Sequence, residues 1–121
     1  HSIEDYLEMI FLMSEEMDTI RITDIAAKMN VRKSSIHSAV KKMVENGFVE
    51  HERYGAITIT KKGKARAREV YRKHRILKSF FLEILGLPEN IAEIDACNIE
   101  HYISDQTVSA LMELSTKLAM K

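Results

Sequence analysis

Asp5-x-x-Glu8 near the start of the chain and Cys97-x-x-Glu100-His101 near its end contain the residue types that hold transition metals. An α-helix turns about 100° per residue, so positions three and four apart share a face. Each cluster would present its donors side by side, two carboxylates in the first and a thiol, a carboxylate and an imidazole in the second. That mix suits borderline ions such as Fe²⁺, Zn²⁺ or Co²⁺, and Mn²⁺ where oxygen donors dominate. Taken singly, each residue has a plainer reading. Asp5 and Glu8 could form a solvated acidic face, Cys97 could be a small core hydrophobe, and Glu100-His101 could be a polar patch at a helix end. Flanking a DNA-binding pattern, as they do here, the two clusters read together as a divided metal site that works as a switch rather than a catalyst.

The elements that must position these residues follow from periodicity and punctuation. Ile3, Leu7, Ile10, Phe11, Ser14 and Met17, widened by Tyr6 and Met13, trace an amphipathic first helix with Asp5, Glu8 and Glu15 on its other side. A short helix over residues 23–29 follows, with Thr23 or Asp24 as its N-cap, and Asn30-Val31-Arg32 makes a tight turn. The next helix runs from about Lys33 to Asn46, with Ile36, Val40, Met43 and Val44 as its buried stripe. Gly47 stops it. Residues 48–52 and the alternating Ile57-Thr58-Ile59-Thr60 read as two strands joined by the turn Arg53-Tyr54-Gly55-Ala56. Helix, turn, helix and hairpin make a winged helix-turn-helix, whose second helix enters the major groove. Its DNA-facing candidates are Arg32, Lys33, Ser34, Ser35, His37, Ser38, Lys41 and Lys42, with Arg53 on the wing. A long helix follows from Lys61 to Leu85, another from Pro88 to Ile103, and a last one opens at Ser104-Asp105, with Val108, Leu111, Met112, Ser115 and Leu118 along one side. His37 and His51 are expected at the surface or the DNA face, and Met9, Met13, Met29, Met43 and Met112 in the core.

The expected architecture is mainly α: a winged helix-turn-helix DNA-binding domain over residues 1–69, then an all-helical metal-binding and dimerisation domain over 70–121. The second segment is too short to enclose a core alone, which predicts a homodimer. A lone cysteine cannot close an internal disulfide, and no apolar run approaches the roughly 20 residues of a membrane span, so a cytoplasmic protein without a membrane partner is expected. The net charge of zero conceals segregation. Residues 21–78 hold 16 Lys/Arg against 5 Asp/Glu, residues 1–20 hold 6 acids and no Lys or Arg, and residues 79–121 hold 2 against 7. A basic middle between acidic ends is the footprint of a polyanion binder and points to double-stranded DNA as partner.

The order Ser2-Ile3-Glu4-Asp5-Tyr6-Leu7-Glu8, the winged helix, Val70-Tyr71-Arg72-Lys73-His74-Arg75 and Ala96-Cys97-Asn98-Ile99-Glu100-His101-Tyr102-Ile103-Ser104 resembles the diphtheria toxin repressor and manganese transport regulator family across essentially the whole chain. The resemblance implies metal ligation by Asp5, Glu8, His74, Cys97, Glu100 and His101. Asp5 and Glu8 look like the manganese branch, and Cys97 like the iron branch. Lys78 and Glu93 fall where the iron branch has a Glu and a His of an ancillary site, so that site does not carry over. The length matches the shorter members without an SH3-like domain. The implied function is repression of metal-uptake genes, with Fe²⁺ or Mn²⁺ as co-repressor, one or two ions per chain, and Co²⁺, Ni²⁺ or Zn²⁺ as surrogates.

Two other classes compete. A metal hydrolase would need a substrate loop or a pocket-forming βα topology, and neither is legible, so no enzyme and no organic substrate are expected. A winged-helix regulator sensing an oxidant or organic ligand through Cys97 is the alternative, and a metal titration separates it from the metal reading.

Overall fold

The computed structural model describes residues 2–53 and 55–120 and divides into two compact units, residues 1–68 and 69–121. The first unit begins with α1 (Ile3–Glu16). Its N-terminus is closed reciprocally: the Asp5 N–H donates to the Ser2 hydroxyl at 3.1 Å and the Ser2 N–H donates to the Asp5 carboxylate at 2.8 Å. Tyr6, Leu7, Ile10 and Met13 form the buried stripe. Met17, expected in that stripe, is instead the residue that ends the helix and is exposed.

α2 spans Ile22–Met29. Asp24 is not its N-cap, and neither is Thr23. Asp24 sits one turn inside and accepts from the Arg21 N–H at 2.9 Å, so the helix starts earlier than a search for a polar first residue suggests. Asn30 ends it at φ 53, a left-handed conformation that asparagine tolerates. α3 (Lys33–Glu45) buries Ile36, Ala39, Val40 and Met43, and Val44, expected in that stripe, is exposed. Ala39 takes the place because it continues the three- and four-residue spacing from Ile36 to Met43. Gly47, at φ +76, turns the chain out of α3 into β1 (Val49–His51), which pairs antiparallel with β2 (Ile57–Ile59) in the register Val49 to Ile59 and His51 to Ile57. Ile20 adds one bridge to Ile57. The expected wing turn includes Tyr54, which lies outside the described residues.

α4 (Lys61–Ser79) starts against the end of α3. The Thr60 hydroxyl donates to the Gly47 and Phe48 carbonyls, at 2.7 and 3.0 Å, and accepts from the Gly63 N–H at 3.0 Å. Lys62 donates to the Asn46 carbonyl at 2.8 Å, and the Lys62 and Arg66 cations lie over the Phe48 ring. Gly63 is required by this approach, because a Cβ there would overlap the Phe48 carbonyl oxygen and come within 2.8 Å of Ile59 Cγ1. The core of the unit is one cluster drawn from α1, α2, α3, both strands and Ala67 of α4.

The second unit holds the rest of α4, a π-helical turn (Phe80–Ile84), α5 (Glu89–Ile99) and α6 (Asp105–Ala119). The helix expected through Leu85 thus changes its bonding after Ser79: the Leu85 N–H reaches the Phe80 carbonyl at 3.1 Å, five residues back, before Gly86 at φ +67 ends the run. α5 stops at Ile99 and not at Ile103, and residues 100–103 are turns that lead to Ser104, whose hydroxyl caps α6 by accepting from the Thr107 N–H at 3.1 Å. Val70, Leu77, Ala92, Ala96 and Val108 are buried. Leu85, Ile94, Tyr102 and Leu114 are exposed, as is Met112, which was expected in the core.

Candidate metal centre and nucleic-acid interface

Four of the expected ligands come together in the second unit. His74 projects from α4, Cys97 from the last turn of α5, and Glu100 and His101 from the turn that follows. His74 Nδ1 lies 2.8 Å from Glu100 Oε2 and 3.7 Å from Cys97 Sγ, and His101 Nε2 lies 3.5 Å from Glu100 Oε1. The Glu100 side chain is 2% exposed, so its carboxylate is a buried charge satisfied by two imidazoles. Asp5 and Glu8 belong to the first unit, three residues apart on α1, and Asp5 has one carboxylate oxygen engaged in the helix cap.

Glu93 was not expected here. It stands one turn before Cys97 on α5 and extends the 97, 100, 101 face backwards by four residues, which is the signal that would have found it. One ligand atom from each of His74, Glu93 and Cys97 lies within 4.8 Å of the others. Glu93 Oε2 is 3.2 Å from His74 Nε2, the Cys97 thiol points to Glu93 Oε1 at 3.6 Å, and Lys78 Nζ is 2.9 Å from Glu93 Oε2. Lys73 reaches from α4 to Asp105 at 2.9 Å and so holds the start of α6.

The charges set the protonation states. The hydrogen bond to Glu100 raises the His74 pKa above 6.5, against the opposing effect of burial and with further help from Glu93. Glu93 is held below the ordinary carboxylate value by the hydrogen bond from Lys78, and Asp105 by that from Lys73. Clamped between two carboxylates, the His74 ring is thereby shifted toward its protonated form in the metal-free protein.

The donors fit a divalent transition ion. Bonds of about 2.0–2.3 Å to nitrogen and sulfur place neighbouring ligand atoms about 3–4 Å apart, and the 3.7 Å between His74 Nδ1 and Cys97 Sγ is already in that range. Imidazole, thiolate and carboxylate together favour a borderline ion over a hard one.

In the first unit, burial of Ile36, Ala39, Val40 and Met43 turns the opposite face of α3 outward. Arg32, Lys33, Ser34, Ser35, His37, Ser38, Lys41 and Lys42 are all exposed, as are Arg53 in the wing turn and His51 on β1. Two cationic side chains at 41 and 42, with hydroxyls one to two turns earlier, suit phosphate positioning with some base-edge contact.

Residues 1–57 match the N-terminal DNA-binding domain of the iron-dependent repressors, and residues 60–120 match their metal-binding and dimerisation domain. The chain belongs to the iron-dependent repressor family. Among the family's relatives, an HTH-type transcriptional regulator of Methanocaldococcus jannaschii is 40% identical over 111 residues, covering 91% of this chain and 89% of that protein. The HTH-type transcriptional regulator MntR of Bacillus subtilis is 32% identical over 113 residues, covering 93% of this chain and 79% of its own. The solved structure of the manganese regulator SloR superposes with a TM-score of 0.83 at 31% identity over 95% of this chain and 54% of that one. A manganese-dependent transcriptional repressor in complex with manganese gives 0.78 at 27% identity, covering 99% of this chain and 54% of the other. The chain spans about half the length of these solved structures. As expected of this repressor family, the fold is mainly helical, with a winged helix-turn-helix followed by a helical unit. Among the described residues, no helix is long and apolar enough to cross a membrane.

Proposed function

We propose that this repressor-family chain is a metal-activated transcriptional repressor that binds a double-stranded DNA operator as a homodimer and acts on metal-uptake genes in the compartment that holds the genome. Its co-repressor is Fe²⁺ or Mn²⁺, held by Asp5, Glu8, His74, Cys97, Glu100 and His101. The observation that carries the reading is the convergence of His74 from α4, Cys97 from α5 and Glu100 from the turn after it onto one small volume, in a protein whose other unit presents an exposed basic reading helix.

A bound divalent ion supplies positive charge shared among these anions. Asp5, Glu8, Glu100 and a Cys97 thiolate carry four negative charges, which two divalent ions balance, and Glu93 adds nothing because Lys78 pairs with it. In the metal-free state His74 lies between Glu100 and Glu93, which raise its pKa and favour a proton on the ring. That proton must leave, and Cys97 must ionise, before the set can act as ligands, so uptake weakens as the pH falls. Asp5 and Glu8 belong to the unit with the reading helix, and the other ligands to the unit with the apolar interface. In this reading metal binding lowers the ordering cost of presenting the two reading helices of a dimer to successive major grooves, roughly 34 Å apart.

The test is fluorescence anisotropy, under anaerobic conditions, on a duplex selected from random sequences in the presence of Mn²⁺. Stoichiometric Fe²⁺ or Mn²⁺ should raise the affinity and a chelator should reverse it. Equal affinity with and without chelator, or a response of metal-free protein to a thiol oxidant alone, would overturn the reading and favour an oxidant sensor.

A further inference from the structure

Glu93 and Lys78 are outside the proposed ligand set, yet Glu93 is bonded to one of its members. His74 is held at both ring nitrogens. Nδ1 faces the Glu100 carboxylate at 2.8 Å and the Cys97 sulfur at 3.7 Å, and Nε2 faces Glu93 Oε2 at 3.2 Å. An imidazole that binds a metal offers one nitrogen as a lone pair and keeps a hydrogen on the other, and the hydrogen-bond partner of the second decides which is which. The two sides differ in what a cation would meet. On the Nδ1 side a thiol and a buried carboxylate converge, with His101 on the same carboxylate. On the Nε2 side stands one carboxylate, whose oxygen already accepts from an ammonium group 2.9 Å away, and Lys78 lies 3.7 Å from Glu89 as well. An ion approaching Nε2 would have to displace Lys78 or sit beside its charge.

We propose that Glu93 is an outer-sphere carboxylate and not a metal ligand: it takes the His74 Nε2–H, Lys78 locks it in place, and His74 therefore gives Nδ1 to the metal beside Cys97 and Glu100. This rests on the proposed metal reading and specifies how the site is built. The chain Lys78, Glu93, His74 fixes the ring's tautomer and orientation and makes Nδ1 a stronger donor, as carboxylates behind metal-bound imidazoles do. Glu93 and Lys78 are thus positioning residues. The proximity of Glu93 to Cys97 is compatible with this role, since ionisation of the thiol removes its hydrogen bond to Glu93 Oε1 and leaves both bonds at Oε2 unchanged.

The experiment uses full-length protein with ¹⁵N-labelled histidine, titrated with Zn²⁺ as a diamagnetic probe and read by two-bond proton–nitrogen correlations. His74 should adopt the Nε2–H form with the coordination shift on Nδ1. Competition with a chelator dye should show Zn²⁺ affinity lowered about 10–100-fold in Glu93→Ala and Lys78→Ala. Glu93→Gln, which keeps an acceptor, should recover part of that loss, and the number of ions bound per chain should stay the same in all three. Coordination through Nε2, loss of an ion in Glu93→Ala, or unchanged affinity in that variant would overturn the proposal while leaving the metal reading intact. Zn²⁺ bound without perturbing His74 at all would overturn both.

Discussion

Glu100→Gln isolates the buried ion pair at the centre of the helical unit. Its carboxylate is 2% exposed and 2.8 Å from His74 Nδ1, so with His74 protonated the contact is a charge-assisted hydrogen bond shielded from water. Such bonds contribute about 1.5–3 kcal/mol and neutral ones about 0.5–1.5, so an amide of the same shape should cost about 1–1.5 kcal/mol. At about 4–8 °C per kcal/mol for a small domain, the melting temperature should fall by roughly 5–10 °C. The sign with pH follows from the raised pKa of His74. The contribution is complete below the unfolded value of 6.5 and is lost as the pH climbs through the higher folded value. Above that, wild type buries a carboxylate beside a neutral ring, whereas glutamine buries no charge, and the penalty should shrink toward zero. Thermal melts followed by circular dichroism in a chelating buffer, at pH 6 and pH 9, measure both ends. In a His74→Asn background the pH difference between glutamate and glutamine should shrink, leaving only what His101 contributes from the other carboxylate oxygen. A cost that is the same at both pH values, or none at pH 6, would refute the assignment of this pair as the source of the stability.

Lys41→Ala combined with Lys42→Ala should weaken DNA binding and flatten its dependence on salt by up to about one log–log unit for each phosphate no longer neutralised. An unchanged slope in anisotropy titrations would remove both residues from the interface. Cys97→Glu should move the activating preference toward Mn²⁺, because a carboxylate is a harder donor than a thiolate, and Cys97→Ala should weaken the response to every metal. Anaerobic titrations in which Cys97→Ala responds like wild type would exclude the thiol as a ligand. Gly63→Ala should destabilise the DNA-binding unit by about 1–3 kcal/mol in urea unfolding, since the added methyl overlaps the Phe48 carbonyl. Unaltered stability would show that α4 can draw away from the wing without cost.

The fold class was legible because apolar spacing and turn residues agree along most of the chain. Ile36, Val40 and Met43 define the reading helix, Gly47 ends it, and alternation marks the second strand. Where the readings differ, hydrogen bonding or packing has overruled a local side-chain pattern. Asp24 is a reasonable cap by type, yet it serves the helix from inside by accepting from Arg21. The π turn at Phe80–Ile84 leaves no mark in composition, since its residues would suit an α-helix equally well. Val44 and Met112 illustrate that an apolar residue beside a buried stripe need not belong to it. At the candidate site, Cys97, Glu100 and His101 announce themselves by spacing, and His74 needs the family pattern. Glu93 is visible in the sequence only as a departure from that pattern, and its contacts with His74 and Cys97 are not. Its link to Lys78 joins residues fifteen apart on two helices, a pairing that no local periodicity encodes.

The joint between α3 and α4 has a consequence for how such regulators diversify. Thr60, Lys62 and Gly63 fasten the first turn of α4 to Asn46, Gly47 and Phe48, the residues at which α3 ends. The hairpin between them is a closed loop whose stem is anchored by Val49, Ile57 and Ile59 in the core, while none of the described residues of the turn that joins its strands is a core residue. Insertions or substitutions confined to that turn leave the two helices clasped at the base of the hairpin, so the wing can acquire new interactions with DNA while the reading helix keeps its seat. Sequence preference and architectural integrity are thereby inherited separately.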